Sequence, residues 1–258
     1  MSKLSFSRMG TFYALLIILA LTFTSRKSEA NNSTTVAIPA TQQQFTFSKP
    51  LPLEAFLSAL HQSKSFAKLH TFPFSYQLFD TNRELEAVEF QTTVLEKLQF
   101  LAQSNHTLKT SAELLLQQVK RWDVGYRIFT PLDWDVVRID SGSNLTLSGN
   151  YELLTPLRKE RVIFEGLLVS PQSIALKSTN SLSAYTSQIR SLSSANPSYA
   201  WVIYPDGTTR KVGYALWNET PVNLTPNSVV FFGFNSEEPS LVQLEKDIVK
   251  LITMRKAL

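Results

Sequence analysis

Two carboxylates two residues apart, Asp133 and Asp135 in "LDWDVVR", are the residues best spaced for acid–base chemistry. On a strand, an i,i+2 pair projects from one face with its carboxyls roughly 6–7 Å apart. Inverting glycosidases hold theirs about 6.5–9.5 Å apart across a sugar. Any strand supplies such a distance, so the spacing alone favours the plainer reading: edge charges that partner Arg127 and Arg138. Arg127 offers a different chemistry. A guanidinium presents a planar fork to carboxylates, and Trp122, Tyr126 and Trp134, close by in sequence, offer flat faces for sugar rings. Trp122, Tyr126, Arg127, Trp134 and Arg138 form the candidate ligand-binding set. The structural alternative is an internal Arg–Asp pair with aromatics in the core. His61, His70 and His106 are scattered, without a nucleophile motif or metal-ligand spacing, and cysteine is absent. No catalytic residue, metal site or cofactor is expected.

The electrostatics separate the N-terminus from the rest. Lys3 and Arg8 precede an uncharged run from Met9 to Ser25 with an apolar centre from Phe12 to Phe23, and Ser28-Glu29-Ala30 offers a small-x-small cleavage site. This is the layout of a secretory signal peptide over 1–30. Its apolar centre falls short of the roughly 20 residues a membrane span needs, so no transmembrane span is expected in the mature chain. The chain carries +4. Its first thirty residues hold four cations against one anion, a net of +3, which leaves +1 for the remainder. A field so weak excludes steering of nucleic acid.

Elements that could position these residues follow from periodicity. Residues 31–43 are Thr- and Gln-rich and read as a flexible lead-in, and "QFTFS" at 44–48 as a strand. Leu53, Phe56, Leu57 and Leu60 fall on one helical face. Thr81-x-x-Glu84 and Thr110-x-x-Glu113 have capping-box spacing and predict helix starts near 82 and 111. Strands are expected through "YRIFTPLDWDVVRIDSGSNLTLSGNYELLTP" and in "RVIFEGLLVSPQSIALKST", then a helix over 182–192. "WVIYPDGTTRKVGYALWN" at 201–218 reads as a hairpin turning at Pro205-Asp206-Gly207. Trp201 and Trp217 would meet across it and cover the 182–192 helix. "NSVVFFGF" is a last strand. From Pro239, Leu241, Leu244, Ile248 and Leu251 step by three and four, an amphipathic helix that docks on its own chain or on a partner.

Three segments carry a family resemblance. "FEGLLVSPQSIAL", with Gly166 and Pro171, "WVIYPDGTT" and "NLTPNSVVFFGF" are similar to the soluble-ligand-binding β-grasp repeated in outer-membrane polysaccharide exporters. Asn227-Ser228 stands where that pattern has Gly-Asp. The wider arrangement resembles the capsule-biosynthesis GfcC family, whose Gly-Arg and following Asp-containing strand correspond to "VGYRIFTPLDWDVVRID" through Arg127, Asp133 and Arg138, with Tyr126 intervening.

The resemblance implies an α+β fold of two β-grasp domains. The first would span 44–160, with a helical hairpin inserted at about 81–121, and the second 161–234, followed by the amphipathic helix at 235–258. It further implies a non-enzymatic periplasmic accessory of capsule or exopolysaccharide production. Its partners would be polysaccharide, an anionic one included, or outer-membrane export proteins. A glycan-trimming or glycan-transferring enzyme using Asp133 and Asp135 is the rival. A structural assembly module acting through the C-terminal helix is the third reading.

Overall fold

A computed structural model describes residues 33–66, 72–177 and 181–256. The expected signal peptide and His70 lie outside the described residues.

The first half of the chain builds one five-stranded sheet. A hairpin of β1 (Thr34–Ile38) and β2 (Gln43–Phe47) leads through β3 (Leu51–Pro52) into α1 (Leu53–Gln62). Next come β4 (Gln77–Asp80), the helical pair α2 (Glu84–Ser104) and α3 (Lys109–Val119), and β5 (Arg127–Ile128). The half closes with α4 (Trp134–Ile139), β6 (Thr146–Leu147) and β7 (Gly149–Leu154). The sheet order is β2-β1-β7-β4-β5, with β1 parallel to β7, and β3 pairs separately with β6. Leu53, Phe56, Leu57 and Leu60 of α1 are fully buried against the sheet.

The second half repeats the plan. It comprises β8 (Arg161–Gly166), β9 (Gln172–Ala175), α5 (Leu182–Thr186), β10 (Tyr199–Ile203), β11 (Thr209–Gly213), β12 (Val229–Phe232) and α6 (Pro239–Met254). Its order is β11-β10-β12-β8-β9, with β8 parallel to β12. In each sheet the first and last strands are parallel neighbours at the centre, flanked by the second strand on one side and the third and fourth on the other. The α2–α3 pair enters between the third and fourth strands of the first sheet.

The helical pair serves the other sheet. Val94 and Leu98 of α2, Leu115 and Val119 of α3, and Leu244, Ile248 and Leu251 of α6 share one core with Ile203, Val229 and Phe231. The α6 stripe is closed: Leu241 and Leu244 are 4% exposed, Ile248 and Leu251 0%. Each such side chain stabilises the packed state by about 1.5–3 kcal/mol. The helix therefore docks on its own chain. The opposite face of the second sheet buries Val162, Phe164, Val202 and Val230 with Leu182 and Tyr185 of α5.

Several sequence expectations need correction. The lead-in at 31–43 contains β1 and the start of β2, so the first sheet begins at Thr34. Thr34, Val36 and Ile38 are 0% exposed, and Thr34 Oγ1 donates to the Leu147 carbonyl at 2.9 Å. Threonine suits a strand but reads as polar in composition. "LDWDVVR" is α4 and not a strand, because the Asp133 carboxylate accepts from the Asp135 and Val136 amides and caps a helix there. Neither capping box forms. Asp80 caps the turn at Thr81–Arg83, Thr81 Oγ1 donates to the Asn150 carbonyl, and Asn105 Oδ1 takes the Leu108 amide ahead of α3. The 182–192 helix stops at Thr186.

The hairpin at 199–213 closes as expected. Gly207 has φ +91°, its amide donates to the Tyr204 carbonyl at 2.9 Å, and the Tyr204 amide donates to Thr208. The two tryptophans part company. Trp201 faces α6 and donates its Nε1 to Glu245 at 2.6 Å, whereas Trp217 lies beyond β11 and is 74% exposed. The pairing register sets Trp201 opposite Lys211, leaving Trp217 edge-on to Tyr199.

Candidate functional site

Arg127 lies inside the molecule, 5% exposed. Its Nη1 donates to the Thr253 carbonyl at 3.1 Å, and its Nη2 to Pro205 at 2.5 Å and Tyr76 at 3.5 Å. The three carbonyls belong to the last turn of α6, the hairpin turn and the segment entering β4. A helix C-terminus leaves carbonyls without intrahelical donors and carries partial negative charge, so a buried cation fits there with no ion pair among the described residues. Burial pushes the guanidinium down to about 10, partly offset by the nearby Asp206 carboxylate. It remains charged at neutral pH.

The other expected ligand contacts lie in separate places. Trp122 lies under the Arg255 guanidinium, 5.2 Å from its ring centre, and Arg255 pairs with Glu165 at 3.0 Å. Tyr126 is covered by Arg83 at 3.5 Å. Trp134 packs between His61 at 5.9 Å and Arg138 at 5.1 Å, and Arg138 pairs with Asp135 at the surface. Trp134 and Arg138 thus meet each other, Trp122 and Tyr126 each lie against a different arginine, and Arg127 is a brace between segments. His61 bonds the Leu57 carbonyl within its own helix.

What the brace shapes is a groove of about 590 Å³ between the two sheets. One wall is Pro73, Phe74 and Tyr76, the second is Phe129 to Asp133 with Val136, and the third is Asp206, Gly207 and Thr208 of the hairpin turn. Phe74 and Phe129 are 39% and 54% exposed, large apolar faces open to solvent. Phe129 stands 5.5 Å from the Arg127 guanidinium. A Cβ on Gly207 would sit 2.6 Å from the Phe129 ring, so glycine is required there for packing as well as for its positive φ. The groove carboxylates are engaged locally: Asp133 caps α4, and Asp206 accepts from the Thr208 amide and hydroxyl. Asp135 does not line the groove. The arrangement offers aromatic faces and hydrogen-bond acceptors to a long, solvated ligand.

Sequence reasoning passed over Phe74, Tyr76, Phe129 and Asp206 as lining residues. The available signal was Phe129 two residues after Arg127, where strand alternation directs both side chains to one face. Nothing local indicated that the Pro205-Asp206-Gly207 turn would meet that face.

Residues 30–158 match the family described as capsule biosynthesis GfcC, N-terminal, and residues 170–257 match capsule biosynthesis GfcC C-terminal. A relative from Escherichia coli (strain K12), named "Uncharacterized protein YjbG", is 35% identical over 145 residues, covering 55% of this chain and 58% of that protein. The chain thus spans little more than half the length of this curated relative.

Replacing Arg127 tests the brace. Arg127→Met strands buried carbonyls and should lower unfolding free energy by about 2–4 kcal/mol in urea titrations. Arg127→Lys should recover only part, since one ammonium lacks the fork that spans three acceptors. A loss within about 0.5 kcal/mol, the size of an ordinary surface substitution, would contradict a bracing role.

Proposed function

This chain belongs to the capsule biosynthesis GfcC family, and we propose that it is a non-enzymatic periplasmic accessory protein of capsule or exopolysaccharide production. It holds polysaccharide along the groove between its two sheets, with Phe74 and Phe129 as stacking faces. The observation that carries the reading is the exposure of these two rings in a concave, solvent-open groove whose shape is fixed from behind by a buried guanidinium. The shared strand connectivity supports reading both sheets as β-grasp domains, the first from Thr34 to about residue 160 and the second over 161–234.

The engagement of Asp133 as a helix cap and of Asp206 within its own turn favours binding over glycan cleavage. The closed α6 stripe argues against assembly through that helix. Contact with outer-membrane export proteins would use other surfaces. No helix among the described residues is long and apolar enough to cross a membrane.

Two measurements test the reading. N-terminal sequencing of the exported protein should begin at Asn31, and a periplasmic form that retains Met1 would contradict cleavage. Phe74→Ala and Phe129→Ala should each weaken binding of capsule oligosaccharide by about 0.5–1.5 kcal/mol, roughly two- to tenfold, with melting temperature little changed. Undiminished affinity in both folded variants would remove the groove from consideration.

A further inference from the structure

The cations expected to meet an acidic sugar, Arg127 and Arg138, are committed elsewhere: one to backbone carbonyls, the other to Asp135. Two others stand at a concavity on the surface, exposed and without a carboxylate partner among the described residues. A pocket of about 300 Å³ opens at the start of β8, lined by Lys159, Arg161, Ile163, Pro171, Gln172, Ser173 and Asn227. No carboxylate lines it, and neither Lys159 nor Arg161 makes an ion pair among the described residues. The neighbouring acid is engaged elsewhere: Glu160, at the bend before β8 and absent from the lining, pairs with Arg158 at 2.6 Å. Arg161 and Ile163, two apart on β8, share one of its faces.

The pocket is held in place before any ligand arrives. Arg161 Nε donates to Ser173 Oγ at 3.0 Å and Nη2 to the Ser173 carbonyl at 2.8 Å, leaving Nη1 without a hydrogen bond among the described residues. Asn227 is 5% exposed and adopts φ +65°. Its Oδ1 accepts the Lys159 amide and its Nδ2 donates to the Leu157 carbonyl, both at 2.9 Å. The Asn227 amide donates to the Arg161 carbonyl at 3.0 Å. One buried residue therefore fixes the backbone of both cationic residues, Lys159 through its side chain and Arg161 through its amide. A cationic rim, a fixed guanidinium edge and an apolar floor of Ile163 and Pro171 match a planar anionic group on a small ring.

The geometry points to a subsite for a negatively charged sugar residue, with Lys159 and Arg161 receiving its carboxylate and Ser173 and Gln172 facing its hydroxyls. The sugar assignment rests on the glycan-holding reading above; the anion chemistry rests on this pocket alone. Phosphate shares that chemistry and is the other source to distinguish.

Titrating the isotope-labelled full chain with sodium glucuronate, glucose and inorganic phosphate, read by amide shifts at Arg161, Gln172, Ser173 and Asn227, tests the assignment. Saturable shifts with glucuronate, none with glucose, and at least tenfold weaker binding in Lys159→Gln/Arg161→Gln are expected. The double variant changes exposed side chains, and circular dichroism should show it folded. Equal response to glucose, no saturation with glucuronate, or an unaffected double variant would overturn the subsite. Tighter binding of phosphate than glucuronate would overturn the sugar assignment. Intact glucuronate binding at this pocket, with groove variants that leave oligosaccharide binding unchanged, would instead reject the groove and leave the subsite standing.

Discussion

A guanidinium buried without a carboxylate within ion-pair distance among the described residues is the constraint around which this molecule is arranged. Desolvating such a charge is costly unless its hydrogen bonds are met. At Arg127 three backbone carbonyls meet it, drawn from the end of α6, the hairpin turn and the approach to β4. Those segments cannot separate without uncovering the cation. The C-terminus of α6 is held from a second direction by neighbours of the same arginine: the Gly125 amide donates to Met254, and the Lys256 amide to Asp123. The chain between α3 and β5 is thus a clasp on the last turn of α6.

The proposed function rests on what the clasp leaves outside. Because Arg127 draws Pro205 inward, the adjoining Asp206-Gly207-Thr208 turn lies against Phe129 and completes a groove wall. The aromatic hairpin serves the core at one position and solvent at another. Trp201 is fixed by Glu245, which also takes the Phe234 amide, while Tyr199 and Trp217 stay at the surface. The α2–α3 pair, emitted by the first sheet, covers α6 on the second. Burial of that helix joins the two halves of the chain through one core.

Much of this was legible where a local rule sufficed. The hairpin at 204–208 follows from Pro-Asp-Gly, α1 and α6 from their apolar periodicity, and β8, β9 and β12 from short runs rich in β-branched and aromatic residues. One departure from the resembling pattern meets a demand of the backbone. Where the resembling pattern has glycine, Asn227 adopts the left-handed conformation that asparagine tolerates. Tertiary context decided the rest. Thr34 to Ile38 look like a polar leader until two neighbouring strands pair with them. Asp133 resembles half of a catalytic pair until its carboxylate is needed as a helix cap. Arg127 was legible as special, but not its role, because carbonyls distant in sequence carry no mark of the donor they will receive.

Native-state hydrogen exchange on Arg127→Gln measures the clasp most directly. The account predicts that the amides of Gly207, Gly125 and Lys256 lose protection together, while those of β1 and β7 in the first sheet keep theirs. Protection unchanged at the three amides, or lost evenly across both sheets, would show that the buried guanidinium does not hold these segments together.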